Sequence, residues 1–163
     1  MKKILSSIII LLFVLQAASA QFIKADLQAA GLTCSMCSRA VDKQLRTLNF
    51  VDSVGIDLEH TLFVIYFRKD KPVDFAQIKK KIEDAGFTVA SLKPVFKFSN
   101  QKIESGSSFV YQNITYNFIK AVPQTLDAGA AFTIVDKGFV TDKEYRKYAG
   151  HITAAKNVYH VIL

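Results

Sequence analysis

The sequence predicts an α+β fold, with a β-α-β-β-α-β unit over residues 21–93 followed by a small, mostly β unit over residues 94–163. Three observations lead there. Up to residue 93 the apolar residues switch between a period of two and a period of three to four, the signatures of half-buried strands and one-faced helices. Gly31 and Gly86 stand where a strand should run out and a helix should end. Beyond Lys93-Pro94 helical spacing nearly disappears, and β-rich runs punctuated by Gly and Pro take over.

Phe22, Lys24, Asp26 and Gln28 interleave with Ile23, Ala25 and Leu27, which reads as a strand ending at Gly31. Cys37, Ala40, Val41, Leu45 and Leu48 then recur at helical spacing with one apolar face. Val54, Ile56 and Leu58 alternate as a second strand, Glu59-His60 marks a hairpin tip, and Leu62 to Phe67 is a nearly unbroken apolar run of β-formers. Pro72 is placed to open a second helix, whose stripe is Phe75, Ile78, Ile82 and Ala85 and whose end is Gly86. Phe87 to Leu92 is the last strand of the unit, and the order is that of the split βαβ, or ferredoxin-like, arrangement. In the second unit Val95 to Phe98, Phe109 to Ile119, Ala131 to Val135 and Val158 to Leu163 read as strands. Gly106, Pro123, Gly129 and Gly138 supply turns, and one helix runs from Thr141-Asp142 to Gly150. A barrel of the OB type would accommodate that content.

Residues 1–20 have the character of an export signal: Lys2 and Lys3, an apolar run from Ile4 to Leu15, and Ala18-Ser19-Ala20 as a peptidase site. The run is shorter than the about 20 residues of a membrane span. The expectation is cleavage after Ala20, a periplasmic or extracellular location, and no stable membrane insertion afterwards. The chain of 163 residues carries 21 basic and 14 acidic side chains, for a net charge of +7. That excess is dispersed, without the clustered Lys/Arg and exposed aromatics of a nucleic-acid surface, so no nucleic-acid partner is expected. It can help dock an acidic protein.

The two cysteines, Cys34 and Cys37, lie in Gly31-Leu32-Thr33-Cys34-Ser35-Met36-Cys37-Ser38, where the first strand passes into the first helix. Unpaired N–H groups and the positive end of the helix dipole stabilise negative charge there, and thiolate is the form that binds metal or attacks disulfides. Two thiolates with no His, Asp or Glu nearby in sequence make a soft, low-coordinate donor pair. Such a pair suits Cu(I), or another thiophilic ion, better than zinc, which usually takes four ligands. Met36 adds a thioether between them, to serve as a further ligand or to face solvent or a partner. A thioredoxin-type redox pair fits poorly, because Thr33 precedes Cys34 and the strand order differs.

With Asp84-Ala85-Gly86-Phe87 before the last strand, this segment resembles the heavy-metal-associated domains of copper chaperones, mercury-binding proteins and copper-transporting P-type ATPases. The resemblance covers about residues 22–93. It implies that Cys34 and Cys37 are the metal ligands, that the ion passes to or from a metal-donor or metal-acceptor protein by exchange of cysteine pairs, and that Phe87 shields the metal apolarly. Leu32 stands where the family commonly has Met, packed beneath the loop. Export departs from most such chaperones, and in an oxidising space a Cys34–Cys37 disulfide would abolish metal binding. The alternative expectation is therefore an interaction scaffold whose disulfide is structural or redox-active.

The remaining signals are weaker. His60 falls at a hairpin tip expected on the far edge from the cysteines, and His151 and His160 have no spaced partner that makes a metal motif. Asn113-Ile114-Thr115 fits a glycosylation acceptor but lies in a β-rich run. With no Ser-His-Asp, paired-carboxylate or glycine-rich phosphate pattern, an enzyme is not expected.

Overall fold

The computed structural model describes residues 21–32 and 35–163; the expected signal peptide, residues 1–20, lies outside them. The first unit comprises β1 (Gln21–Ala30), α1 (Ser35–Leu45), β2 (Val51–Asp57), β3 (Leu62–Phe67), α2 (Phe75–Asp84) and β4 (Thr88–Lys97). The four strands pair in the order β2-β3-β1-β4, all antiparallel, as the ferredoxin-like reading requires. Val41 and Leu45 of α1 and Phe75, Ile78 and Ile82 of α2 are fully buried in one core with Leu27, Phe63 and Ile65 of the sheet.

Local differences from the expected elements have physical causes. The buried residues of α1 are Ser38, Val41 and Leu45; Ala40 is exposed and Cys37 half-buried, so the inward face is turned by one residue. Helix α2 opens at Phe75, not at Pro72, because Asp74 caps it: its Oδ1 accepts from the N–H groups of Ala76 (2.9 Å) and Gln77 (3.2 Å). A register shift between Phe22 and Lys24 puts Phe22 and Ala25 both in the core, which strict alternation would place on opposite faces. Of Val54, Ile56 and Leu58 only Val54 is buried.

Strand β4 runs on through Pro94, past the 93/94 boundary drawn from composition. Pro94 O accepts from Phe132 N–H at 3.1 Å, so its backbone polar groups face away from β1. The missing proline N–H then removes nothing from the β1 ladder.

The second unit contains β5 (Gln101–Ile103), β6 (Ser108–Tyr111), β7 (Ile114–Lys120), β8 (Gln124–Leu126), β9 (Gly129–Ala131), β10 (Thr133–Ile134), α3 (Asp142–Tyr148) and β11 (Val158–Ile162). It is mostly β, but in place of a closed OB-type barrel it forms an open sheet, β10-β11-β7-β6, and a β5-β8 ribbon. The run Phe109 to Ile119 is two strands, turned at Gln112 and Asn113, both with positive φ (51° and 62°). Helix α3 is capped by Thr141, as its sequence suggests.

The two units share one core. Strand β9 extends the first sheet beyond β4. Phe22 of β1 has ring centroids 4.8 Å from Phe75, 4.9 Å from Phe96 and 5.4 Å from both Tyr111 and Tyr116. Phe109 stacks on Tyr116 at 4.8 Å and 12°. Pairs of this kind add about 0.5–1.5 kcal/mol each beyond area burial. Because Phe22 is the second residue of β1, these rings gather at the pole opposite the loop that follows β1. Phe139 also receives Lys79 of α2 over its ring at 5.6 Å, and Val140 bridges to Ser91 of β4.

Tyr116 is fully buried and its hydroxyl has no hydrogen-bond partner among the described residues. Burial pushes its phenol above the usual range, and burial, aided by Asp74 and Asp136, pushes Tyr159 up to about 12. Raised folded values mean that both contributions to stability are complete below the unfolded phenol value of about 10 and are lost as pH rises beyond it. Tyr116→Phe should therefore be neutral or stabilising, by up to about 2 kcal/mol in urea unfolding, and should move alkaline unfolding to higher pH. A loss of stability in this variant would contradict the unpartnered hydroxyl.

Candidate metal centre

The candidate centre is built at the pole where β1 ends. Gly31 takes φ +87°, a conformation open to glycine at little cost, and turns the chain out of the sheet. Leu32 packs against the core, as expected for the residue beneath the loop. Thr33 and Cys34 lie outside the described residues; α1 then begins at Ser35 and brings half-buried Cys37 into its first turn. That turn contains no acidic side chain, so nothing in it offsets the positive end of the helix dipole beside the thiol. One of the two predicted ligands, Cys37, is thus placed at the strand-to-helix switch.

The end of α2 braces this loop. Gly86, with φ +87°, donates its N–H to Glu83 O (2.9 Å), and Phe87 donates to Ile82 O (3.1 Å). This is the paired bonding of a Schellman motif. The turn delivers Phe87 to the loop entry: a Cβ built on Gly31 would sit 3.6 Å from Phe87 Cδ1. Phe87 is half-buried and packs against the core. It therefore offers the loop an apolar wall without a charge.

Two of the three histidines, His60 and His160, fall elsewhere than expected. In antiparallel register Gln28 faces Leu62, so the β2–β3 hairpin and His60 share the pole of the cysteine loop and are not on the far edge. His60 is exposed, and its Nδ1 lies 2.8 Å from Asp57 Oδ2. That hydrogen bond is the main cause holding the Asp57 carboxyl below the usual range. His151 is exposed. His160 is buried, not on the surface: its backbone N–H donates to Asp136 Oδ2 (2.7 Å) and Nδ1 lies 2.9 Å from Asp136 Oδ1. Nε2 accepts from Thr153 N–H at 3.3 Å, which puts the ring proton on Nδ1. Sequence reading missed this network, since its members are far apart in the chain. The Thr153 amide occupies the lone pair that a general base would use, so the network fastens β11 to the segment before Phe139. Asn113 sits exposed at the β6–β7 tip, not within a strand.

Among the described residues, no group of three or more His, Cys, Asp or Glu is placed to hold a metal ion, and no helix is long and apolar enough to cross a membrane. Met36 is 77% exposed and lines a groove with Ser35, Ser38, Arg39, Ile56 and Leu58.

Residues 26–88 match the heavy-metal-associated domain family. Over 62 residues the chain is 34% identical to a probable copper-exporting P-type ATPase of Archaeoglobus fulgidus; the match covers 38% of this chain and spans only 8% of that protein's length. Among solved structures, the yeast copper transporter domain Ccc2a, known in apo and Cu(I)-loaded states, is 34% identical. It aligns over 40% of this chain and 88% of its own, with a TM-score of 0.36. The CopZ metallochaperone is 30% identical over 41% of this chain and 98% of its own, with a TM-score of 0.38.

If the Asp136–His160 network is structural, Asp136→Ala should lower stability by about 1–3 kcal/mol, the range for stranding buried donors. It should leave the alkylation rate of Cys37 unchanged. Altered alkylation at equal stability would tie the network to the cysteine loop instead.

Proposed function

We propose, on the premise that residues 26–88 are a heavy-metal-associated domain, that this chain is an exported carrier of a soft metal ion, Cu(I) before others. Cys34 and Cys37 hold the ion as thiolates, and a metal-donor or metal-acceptor protein exchanges it with them. The observation that carries this reading is the position of Cys37 in the first turn of α1, just past the switch out of β1. Two soft anionic donors satisfy a low-coordinate d¹⁰ ion without further ligands, and a site so sparsely coordinated leaves room for an incoming thiolate. Transfer is then stepwise. A partner thiolate adds to the ion, one cysteine of this chain leaves and takes up a proton, and a second exchange completes the hand-over with no change of oxidation state.

Residues 94–163 are, in this reading, the unit that directs delivery. Their aromatic side chains pack against Phe22 and Phe75, at the pole away from the loop. The export reading rests on the pattern of residues 1–20 and is checked by N-terminal sequencing, which should begin at Gln21.

The central experiment is an anaerobic titration of prereduced protein with Cu(I) buffered by a competing chromophoric chelator. Wild type should withdraw one ion per chain, and Cys34→Ser/Cys37→Ser none while keeping its fold. Because the thiols lose protons on binding, apparent affinity should rise with pH. Equal behaviour of wild type and the double variant would refute the carrier reading.

A further inference from the structure

We infer that the groove between α1 and the β2–β3 hairpin is where the metal-exchange partner seats itself, and that the seated element is a partner segment pairing an apolar side chain with a carboxylate. The inference rests on the carrier reading above for the partner's purpose, but the groove itself stands on its own geometry.

Three exposed apolar side chains meet there: Met36 (77% exposed), Leu58 (59%) and Ile56 (39%). A concentration of this kind on an otherwise ordinary surface marks an interaction site. The groove holds about 330 Å³, at the small end for ligand sites and suited to a side chain or two. Arg46 fixes its walls by donating from Nη2 to Val54 O at 2.7 Å, which holds α1 against the edge strand β2. Met36 directly precedes Cys37, so the groove adjoins the first turn of α1 where Cys37 lies.

On the flank across the sheet the second unit is packed against the first: Val140 bridges to Ser91 of β4, and Phe139 packs under Lys79 of α2. On the α1–β2 side Met36, Arg39, Ile56 and Leu58 are all exposed. Its charge indicates the occupant. Asp42 and Arg46 neutralise each other, whereas Arg39 on the rim has no ion-pair partner among the described residues, and exposed Lys43 follows it one turn later. A carboxylate beside the apolar side chain complements that rim.

The test uses ¹⁵N-labelled protein and two capped tetrapeptides, two leucines flanked either by glutamates or by lysines. The glutamate peptide should shift the amides of residues 35–39 and 55–58, and the lysine peptide should not. Leu58→Ser should weaken the glutamate peptide about tenfold, as loss of one leucine contact does, and Arg39→Glu should reverse the preference. No shift in those amides at millimolar peptide, equal shifts with both peptides, or an unchanged preference in Arg39→Glu would overturn the inference. So would shifts of the same amides on simple dilution, which would make a second copy of the chain the occupant. The Cu(I) titration separates the two failures. If wild type binds no Cu(I) yet the peptide responses hold, the carrier reading falls and the docking groove stands; if Cu(I) binds and the peptide responses fail, the reverse is true.

Discussion

The packing of Phe22 against Phe75 on one side and Tyr116 on the other is the constraint on which the rest of the structure depends. Phe22 is the second residue of β1 and Phe75 the first of α2, so one contact ties the start of the central strand to the start of the helix beside it. The far ends of these same elements are the cysteine loop and the Gly86-Phe87 turn. Aromatic packing at one pole thereby sets the position of the candidate metal centre at the other. Tyr116, Phe109 and Phe132 from the second unit complete the cluster, and close-packed interiors transmit rather than absorb such displacements. The second unit is in this sense part of the scaffold of the first.

Much of the first unit was legible because its burial is periodic. The helical stripe Phe75, Ile78, Ile82 carries its burial in its spacing. The β-formers of Leu62 to Phe67 mark a strand, although only its alternate residues Phe63, Ile65 and Phe67 are buried, and Gly86 announces the end of α2 through the left-handed conformation it adopts. What spacing could not show were the interruptions of the period. The bulge after Phe22, the cap at Asp74 in place of Pro72, and the exposure of Ile56 and Leu58 all arise from tertiary fit. In the second unit the strands are short and several pair with distant segments. Strand β9 joins a sheet built mainly from the other half of the chain, and no local pattern encodes that.

The candidate centre was legible in the same partial way. Cys37 lies in the first turn of α1, Leu32 packs against the core and Phe87 lies near Gly31, whereas Cys34 lies outside the described residues. His60 was misplaced because a hairpin tip was assigned to an edge without its register; once Gln28 is set opposite Leu62, the tip must rise beside the loop. His160 was read as an isolated residue because Asp136 is brought to it only by the antiparallel pairing of β10 with β11, and Thr153 only by the fold-back of the segment before β11. Met36 was read either as a further ligand or as facing solvent or a partner; in three dimensions it is exposed and lines the groove shared with Ile56 and Leu58.

The central claim is a two-thiolate site for a soft ion at the strand-to-helix switch, and the most direct measurement is X-ray absorption spectroscopy of the protein loaded with one equivalent of Cu(I). A copper shell made only of sulfur, with two scatterers, is expected, and its loss in Cys34→Ser/Cys37→Ser. A shell containing nitrogen or oxygen, or a copper signal that survives removal of both cysteines, would contradict it.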